Sequence, residues 1–422
     1  MARLRNWVTE LKRFATQPLL LAQVVSSLAG AGAMLLAAAM MPVEQFTYYT
    51  LISLVSITAT GAVRAGLFQP ALIELRNREH AYTPFWQGLL AGLGSAALAT
   101  AVVSFLHPLG LFEVVALTAS GVFPVLHDWV RFRAMQLDRR TMVFWADALR
   151  LILIIIASPI ALLLTSDPVI YQVVQGFAYA IPAALVFGKL ARVHQFTPLR
   201  DYRHAAGLQL GDYLIGQFNT TVPLIVLGGL SASATIGGVR LSQTLLGPLG
   251  LVFAASTTNL MVDAANSDRL ASERALYRSG QRLANGLAAL SIAVIVPLIA
   301  VVWLTGFGLR GVANPDLRTG LLLVGAAMAS SGWAGIHAVI LRLLGYQATA
   351  TAGRAGLVIA SAIGYLIGYQ LGGVDGSLVG GFLAAALAAP FAFVVPSLVV
   401  RRRLEKAALG EASSTPADPT SP

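Results

Sequence analysis

Apolar runs long enough to cross a bilayer follow one another along almost the whole chain. They cover residues 18–41, 46–75, 84–106, 109–130, 142–165, 168–190, 207–229, 236–262, 282–305, 318–343, 350–371 and 376–400. Each supplies the roughly 20 residues that a helix needs to cross a ~30 Å hydrocarbon core. A segment inside lipid must satisfy its own backbone polar groups, so helix is the expected state throughout. The pattern predicts an all-α integral membrane protein with twelve transmembrane helices.

Inside several spans the polar positions recur at helical spacing. In the second, Thr50, Ser53, Ser56, Thr60 and Arg64 follow i, i+3, i+6, i+10 and i+14, which keeps all five within about a third of the helix surface. The seventh span carries Asp212, Gly216, Asn219 and Pro223, the first Gln23, Ser27 and Gly30, and the eighth Arg240, Gln243 and Gly247. Polar side chains facing lipid are costly, so such stripes are expected to face the bundle or a wet cavity. Small residues also let membrane helices approach closely, and that reading suits the first span taken alone.

Positive charge sorts these spans. Twenty-five of the 29 Lys and Arg fall at one face or at the helix ends next to it, Arg310 and Arg318 at the other, and the remaining two, Arg64 and Arg240, lie within apolar runs. A bias this strong places both termini in the cytoplasm and the chain in a cell (plasma or inner) membrane. Arg64 then lies about 27 Å along its helix from the outer end, at ~1.5 Å per residue. Arg240 sits near the outer end of the eighth span.

Composition narrows the function. With 56% hydrophobic and 11% charged residues, the chain is neither an ordinary soluble globule nor a disordered one. The net charge of +10 would suggest nucleic acid in a soluble protein, but here the basic residues punctuate helix ends that face anionic lipid. Membrane lipid is the expected partner, and nucleic acid is not. The absence of Cys excludes disulfides, thiolate catalysis and Cys-based metal sites. The six His form no close set with carboxylates at metal-ligand spacing, and no Gly-rich loop with Lys cradles a phosphate. No cofactor, metal or catalytic residue is expected, and the chain does not read as an enzyme. Asp128 with Arg131, and Asp147 with Arg150, stand three apart and are expected to neutralise each other locally. His127 and His337 are expected as packing or hydrogen-bonded groups.

The spans divide into an N-terminal six-helix lobe, 18–190, and a C-terminal one, 207–400, joined by a cytoplasmic linker, 191–206. Before them, residues 1–17 place Leu4, Trp7, Leu11 and Phe14 on one face of an interfacial amphipathic helix. After them, 401–422 is basic and then, from Leu409, a polar Pro-containing tail expected to be disordered. Arg150 and Arg354 each head a span, a short acidic turn and a Gly/Ala-rich span, which points to duplication of the lobes.

Three stretches carry a family resemblance: PVEQFTYYTLISL between the first two spans, LGGLSASATIGGVRLSQTLLGPL leading into the eighth, and YQLGGVDGSLVGG before the last. They resemble the polysaccharide-exporter branch of the multidrug, oligosaccharidyl-lipid and polysaccharide (MOP) transporter superfamily. The resemblance implies a MATE-like fold of two lobes around a V-shaped cavity lined by spans 1, 2, 7 and 8. It also implies a flippase that carries polyprenyl-pyrophosphate-linked oligosaccharides to the outer leaflet by alternating access, for cell-surface polysaccharide biosynthesis. On that footing Arg64 attracts the phosphates, Arg240 acts near the outer gate, and Gln217, Asn219 and Gln243 hydrogen-bond sugar hydroxyls. Asp212 pairs with a basic residue or binds a cation, and Ser56, Thr60 and Gln23 complete the candidate cavity lining. Glycosyltransferases or a polymerase of the same pathway are the implied protein partners. The chain departs from the family late in the seventh span, where it has Thr220, Thr221 and Pro223 instead of an acid. A cation-coupled small-molecule or drug antiporter of the same superfamily is the alternative. A membrane polymerase or scaffold fits less well, because the outer connections are short.

Overall fold

The apolar runs fold as helices, and the breaks between them fall where the sequence withdraws a backbone donor or frees a backbone angle. The computed structural model describes residues 18–74, 84–137, 139–190, 202–230, 233–266 and 273–414. Its helices are α1 (Pro18–Met40), α2 (Val43–Val63), α3 (Gln69–Glu74), α4 (Phe85–Leu106), α5 (Leu111–Gly121), α6 (Phe123–Gln136), α7 (Arg140–Leu164) and α8 (Pro168–Leu190). There follow α9 (Arg203–Thr220), α10 (Val222–Leu230), α11 (Ala234–Leu245), α12 (Gly247–Asn266), α13 (Glu273–Thr305), α14 (Asn314–Leu343), α15 (Gln347–Ala389) and α16 (Val395–Ser414). Among the described residues the only β pairing is an isolated bridge between Leu309 and Val312.

Among the described residues, nine helical runs are long and apolar enough to cross a membrane, or eleven if the broken pairs α9–α10 and α11–α12 each make one span. The last run, Gln347–Glu405, is a hairpin. Gly372 and Gly373 leave helical geometry within α15, Gly373 at φ 62°, a conformation open to glycine without strain. The arms then close on one another: a Cβ on Gly364 or Gly368 would strike the backbone carbonyl of Gly380 or Gly376. Small residues permit this approach. The twelve spans expected from hydropathy are reached when both broken pairs and both hairpin arms are counted as crossings.

Two π-turns interrupt the helices, at Arg64–Phe68 between α2 and α3 and at Pro390–Val394 between α15 and α16. Each lies just before a proline, Pro70 or Pro396. A helical proline lacks the N–H for the carbonyl four residues back and its ring collides with that carbonyl. Those carbonyls belong to Gly66 and Ala392, both inside the π-turns. The ladder widens instead, with Gln69 N–H donating to Arg64 O and Val395 N–H to Pro390 O, five residues back.

By its contacts the chain forms two units, Met1–Gly247 with Thr305–Gly320, and Pro248–Leu304 with Leu321–Pro422. In the first, a tyrosine stack ties three helices together. The Tyr171 hydroxyl donates to Ala33 O at 2.7 Å, the Tyr49 and Tyr171 rings meet edge-on at 5.0 Å, and Gln175 Nε2 donates to the Tyr49 hydroxyl at 2.7 Å. Aromatic packing closes one end, with Phe85 against Trp129 at 5.0 Å and Phe68 against Phe132 at 5.8 Å. The segment before and into α14 is fastened to this unit: Gly311 N–H donates to Ala38 O at 2.6 Å and Arg310 Nη1 to Met40 O at 3.2 Å. In the second unit, α13 and α14 pack through Leu276, Tyr277, Ala284, Leu287, Ile336 and Ile340. Buried His337 shares a 2.6 Å hydrogen bond with Ser397 Oγ on α16.

Several helices outrun their apolar windows. The connection expected at 263–281 is mostly helix, because α12 reaches Asn266 and α13 begins at Glu273. Leu276, Tyr277 and Gly280 supply a buried face there while the arginines between them stay exposed. Likewise α9 begins at Arg203, inside the expected linker 191–206, and residues 191–201 lie outside the described residues. At the other end α16 runs to Ser414, past the expected start of the tail at Leu409, since Ala, Leu and Glu are strong helix formers. The amphipathic segment 1–17 also lies outside the described residues.

Candidate functional site

The second-span stripe does not open onto one surface. Thr50 and Ser53 are buried in helix packing. Ser56 and Thr60 line a recess between α2, α4, α5 and α8, with Ser95, Thr100 and Ser120 opposite. That recess has room for roughly one water molecule and none for a sugar. At the end of the stripe the π-turn presents Arg64, and there the chemistry concentrates.

Arg64 meets Asp128 on α6, with Nε at 2.8 Å and Nη2 at 2.7 Å from Oδ2. The two ends of this pair differ in setting: 40% of the Arg64 side chain is exposed against 4% of Asp128. Arg131, one turn along α6, reaches the other Asp128 oxygen at 3.8 Å and directs Nε to Asp147 Oδ2 on α7 at 3.3 Å. Its Nη2 also donates to Gln23 Oε1 on α1 at 3.4 Å. Asp147 is fully buried, and neither of its oxygens has a partner in hydrogen-bonding geometry among the described residues. Its other neighbour is His127 Nε2 at 3.7 Å.

The expectation that Asp147 and Arg150 neutralise each other is corrected. Arg150 turns to α1 and α8, donating from Nη1 to Ser26 Oγ at 3.2 Å and stacking its guanidinium 3.8 Å from the Tyr179 ring centroid. Residues three apart share a helix face, but here other helices supply the nearer partner for each, α6 for Asp147 and α1 with α8 for Arg150. Asp128 and Arg131 do touch, yet the tighter partner of Asp128 is Arg64, 64 residues away. Three guanidiniums thus gather near two carboxylates, Arg150 without a carboxylate contact among the described residues and Arg64 as the member that reaches the surface.

The other candidates lie elsewhere. Arg240 is half-buried on α11 and donates from Nη1 to Gln243 Oε1 at 3.3 Å. Gly237, one turn before it, lies against the Phe46 ring, 3.2 Å from where its Cβ would stand. Arg240 is therefore level with about Tyr49 on α2. Arg64 lies 15 residues farther along that helix, roughly 22 Å at ~1.5 Å per residue, so one phosphate cannot bridge the two. On α9, Gln217 is half-exposed, and the side chains of Asp212 and Asn219 lie outside the described residues. Tyr213 on the same helix donates to Thr58 O at 3.1 Å and fills the space left by Gly61, which seats α9 against α2 beside Arg64.

The sequence reading passed over Asp128, Arg131, Asp147, Arg150 and Tyr179 as parts of one site. A signal was present. Asp128 lies 19 residues from the outer end of its span, about 28 Å deep at ~1.5 Å per residue, the same depth as Arg64.

No protein-family sequence profile matches the chain, and no curated protein sequence does. Solved structures do. The lipid II flippase MurJ in an inward closed conformation superposes with a TM-score of 0.63 at 14% identity, covering 94% of this chain and 92% of its own. An inward-facing multidrug resistance MATE transporter of the MOP superfamily gives 0.61 at 13% identity, over 93% and 96%. A point variant of the MATE transporter VcmN of Vibrio cholerae gives 0.57 at 15% identity, over 93% and 98%. The fold is that of MATE transporters and MurJ. With its many apolar helices, the chain is an all-α, multi-pass membrane protein.

Proposed function

We propose that the protein is a transporter that flips a lipid-linked, phosphate-bearing oligosaccharide from the inner to the outer leaflet by alternating access. The observation that carries this reading is the charge balance of the cluster. Arg64, Arg131 and Arg150 outnumber Asp128 and Asp147, Arg150 has no carboxylate contact among the described residues, and Arg64 is the member that reaches the surface, with 40% of its side chain exposed. A cation held at the inner part of a membrane helix suits an anionic headgroup, since in-membrane charge is costly and is found on substrate and ion pathways. Phosphate also matches the planar donor fork of arginine. Gln217, Gln243 and Arg240 would then meet the saccharide or guard its exit, and Asp212 and Asn219 remain candidates for the same path.

A second reading has its own support. Asp147 is a fully buried carboxylate beside Arg131 whose oxygens have no partner in hydrogen-bonding geometry among the described residues, the kind of group that a cation-coupled small-molecule antiporter would use. The test compares both. Proteoliposomes containing the full chain are given a fluorescent polyprenyl-pyrophosphate saccharide, and in parallel a cationic dye with an imposed cation gradient. The flippase reading expects saccharide translocation that drops at least tenfold in Arg64→Ala while helicity is retained. Dye efflux without saccharide movement, or translocation unchanged in Arg64→Ala, overturns it.

A further inference from the structure

The second unit carries an open cleft of about 710 Å³, solvent included, between the first turns of α13 and the end of α16. It lies on the face that the arginine bias assigns to the cytoplasm. Arg274, Arg278 and Arg282 stand at i, i+4 and i+8 on one face of α13, and Arg401 faces them from α16. Like charges at this spacing repel along a helix. Arg274 in addition sits in the first turn, where the helix dipole already presents positive charge. Glu273 in the same turn offsets part of this charge, and an anion in front of the three arginines would offset the rest.

The groups within the cleft do not supply that anion. Glu405 is the only carboxylate lining it among the described residues, and its Oε1 is occupied by Arg401 Nε at 2.7 Å. Arg274 donates from Nη2 to Leu404 O at 2.8 Å, which fixes it against α16 without neutralising it. Arg278 and Arg282 are exposed and have no ion-pair partner among the described residues. Tyr277 is buried behind them and donates to Gln281 Oε1 at 3.2 Å, and Gln281 Nε2 donates to Asn285 Oδ1 at 3.3 Å. The floor of the cleft is thus ordered by side-chain hydrogen bonds.

We propose that this cleft binds the phosphate headgroup of an anionic phospholipid from the inner leaflet. Its position favours a lipid over a free phosphate. Beyond Arg282 the same helix turns apolar, and it exposes Ile292 and Val296 on the face that carries the arginines. A headgroup held by the arginines would lay its acyl chains on that surface. Basic pockets between membrane helices on the cytoplasmic side recognise anionic headgroups by this combination. The site is separate from the Arg64 cluster and independent of what the transporter carries.

The test uses the full chain, delipidated in a neutral detergent. Native mass spectrometry counts retained phosphatidylglycerol against phosphatidylcholine, and thermal unfolding follows addition of each lipid, or of inorganic phosphate at matched ionic strength. Wild type should retain phosphatidylglycerol at least fivefold over phosphatidylcholine. Arg278→Gln with Arg282→Gln should abolish that preference, with helicity retained and lipid-free melting unchanged or raised as the mutual repulsion is relieved. The charge-matched control Arg402→Gln with Arg403→Gln, on the same face of the membrane but outside the cleft, should keep it within twofold. Equal phosphatidylglycerol retention by wild type and the cleft variant, or equal loss in the control, overturns the cleft. Stabilisation by inorganic phosphate with no lipid preference overturns the lipid assignment.

Discussion

Replacing Asp128 with Asn removes the charge that holds two guanidiniums and leaves the volume almost unchanged. Asp128 lies 2.7 Å from Arg64 Nη2 and 3.8 Å from Arg131 Nη1, and only 4% of its side chain is exposed. At an effective dielectric of ~20, unit charges about 4 Å apart interact by about 4 kcal/mol, a gross figure for each guanidinium. The carboxylate no longer has to be desolvated, which returns several kcal/mol of that sum. Arg64, with 40% of its side chain exposed, can turn to solvent, while Arg131 cannot. A net loss of roughly 2–3 kcal/mol follows, below the ~3–5 kcal/mol seen when a fully buried pair is broken. The sign pattern is sharper than the magnitude. Counting Arg64, Arg131, Arg150, Asp128 and Asp147, wild type carries one surplus positive charge, Asp128→Asn two, Arg64→Gln none, and the double variant one. Thermal unfolding in one detergent at pH 7.5 should therefore rank Asp128→Asn as the least stable, with Arg64→Gln and the double variant both above it. Because heating a membrane protein of this size is not a two-state process, the order and the non-additivity are the readouts. Strictly additive shifts, or Arg64→Gln melting below Asp128→Asn, would refute the idea that the cluster works as one charge-balanced unit.

The hairpin in α15 makes a contrast among glycines. Gly368→Ala places a methyl into the Gly376 carbonyl and should destabilise by about 1–3 kcal/mol as the arms part, whereas Gly32→Ala and Gly94→Ala meet nothing within 4 Å and should melt within a degree or two of wild type. Pro70→Ala restores the missing N–H, so the π-turn at Arg64–Phe68 should relax toward an ordinary helix and re-aim Arg64. Saccharide translocation should then fall several-fold with melting unchanged or raised, and equal transport would show that the π-turn does not position Arg64. Since the chain has no Cys, single-Cys variants report topology directly. Gly110→Cys should react with a membrane-impermeant maleimide in intact cells and Arg402→Cys only after permeabilisation, and the reverse pattern would invert the assigned orientation.

The readable part of this molecule was whatever depends on position along a single helix. Hydropathy found the spans because each is decided by its own 20 or so residues, and the paired glycines of YQLGGVDG marked the reversal that separates the last two. The π-turns were equally local, written in Pro70 and Pro396, but a hydropathy window averages over them. The site behaved differently. The five-residue stripe of α2 is a true face of that helix, yet its members part company: Thr50 and Ser53 pack, Ser56 and Thr60 line a recess of one water, and Arg64 finds Asp128. Periodicity states which side chains point the same way and is silent on what stands opposite. Pairing charges by sequence neighbourhood failed at Asp147 for the same reason, since the i, i+3 rule compares only groups on one helix and cannot weigh a better partner on another. Depth below the membrane surface can. Arg64 and Asp128 lie about 27 and 28 Å from the outer ends of their spans at ~1.5 Å per residue, and a charge inside a membrane needs a partner at its own level. Matching in-membrane charges by depth before matching them by spacing would have joined these two helices from the sequence.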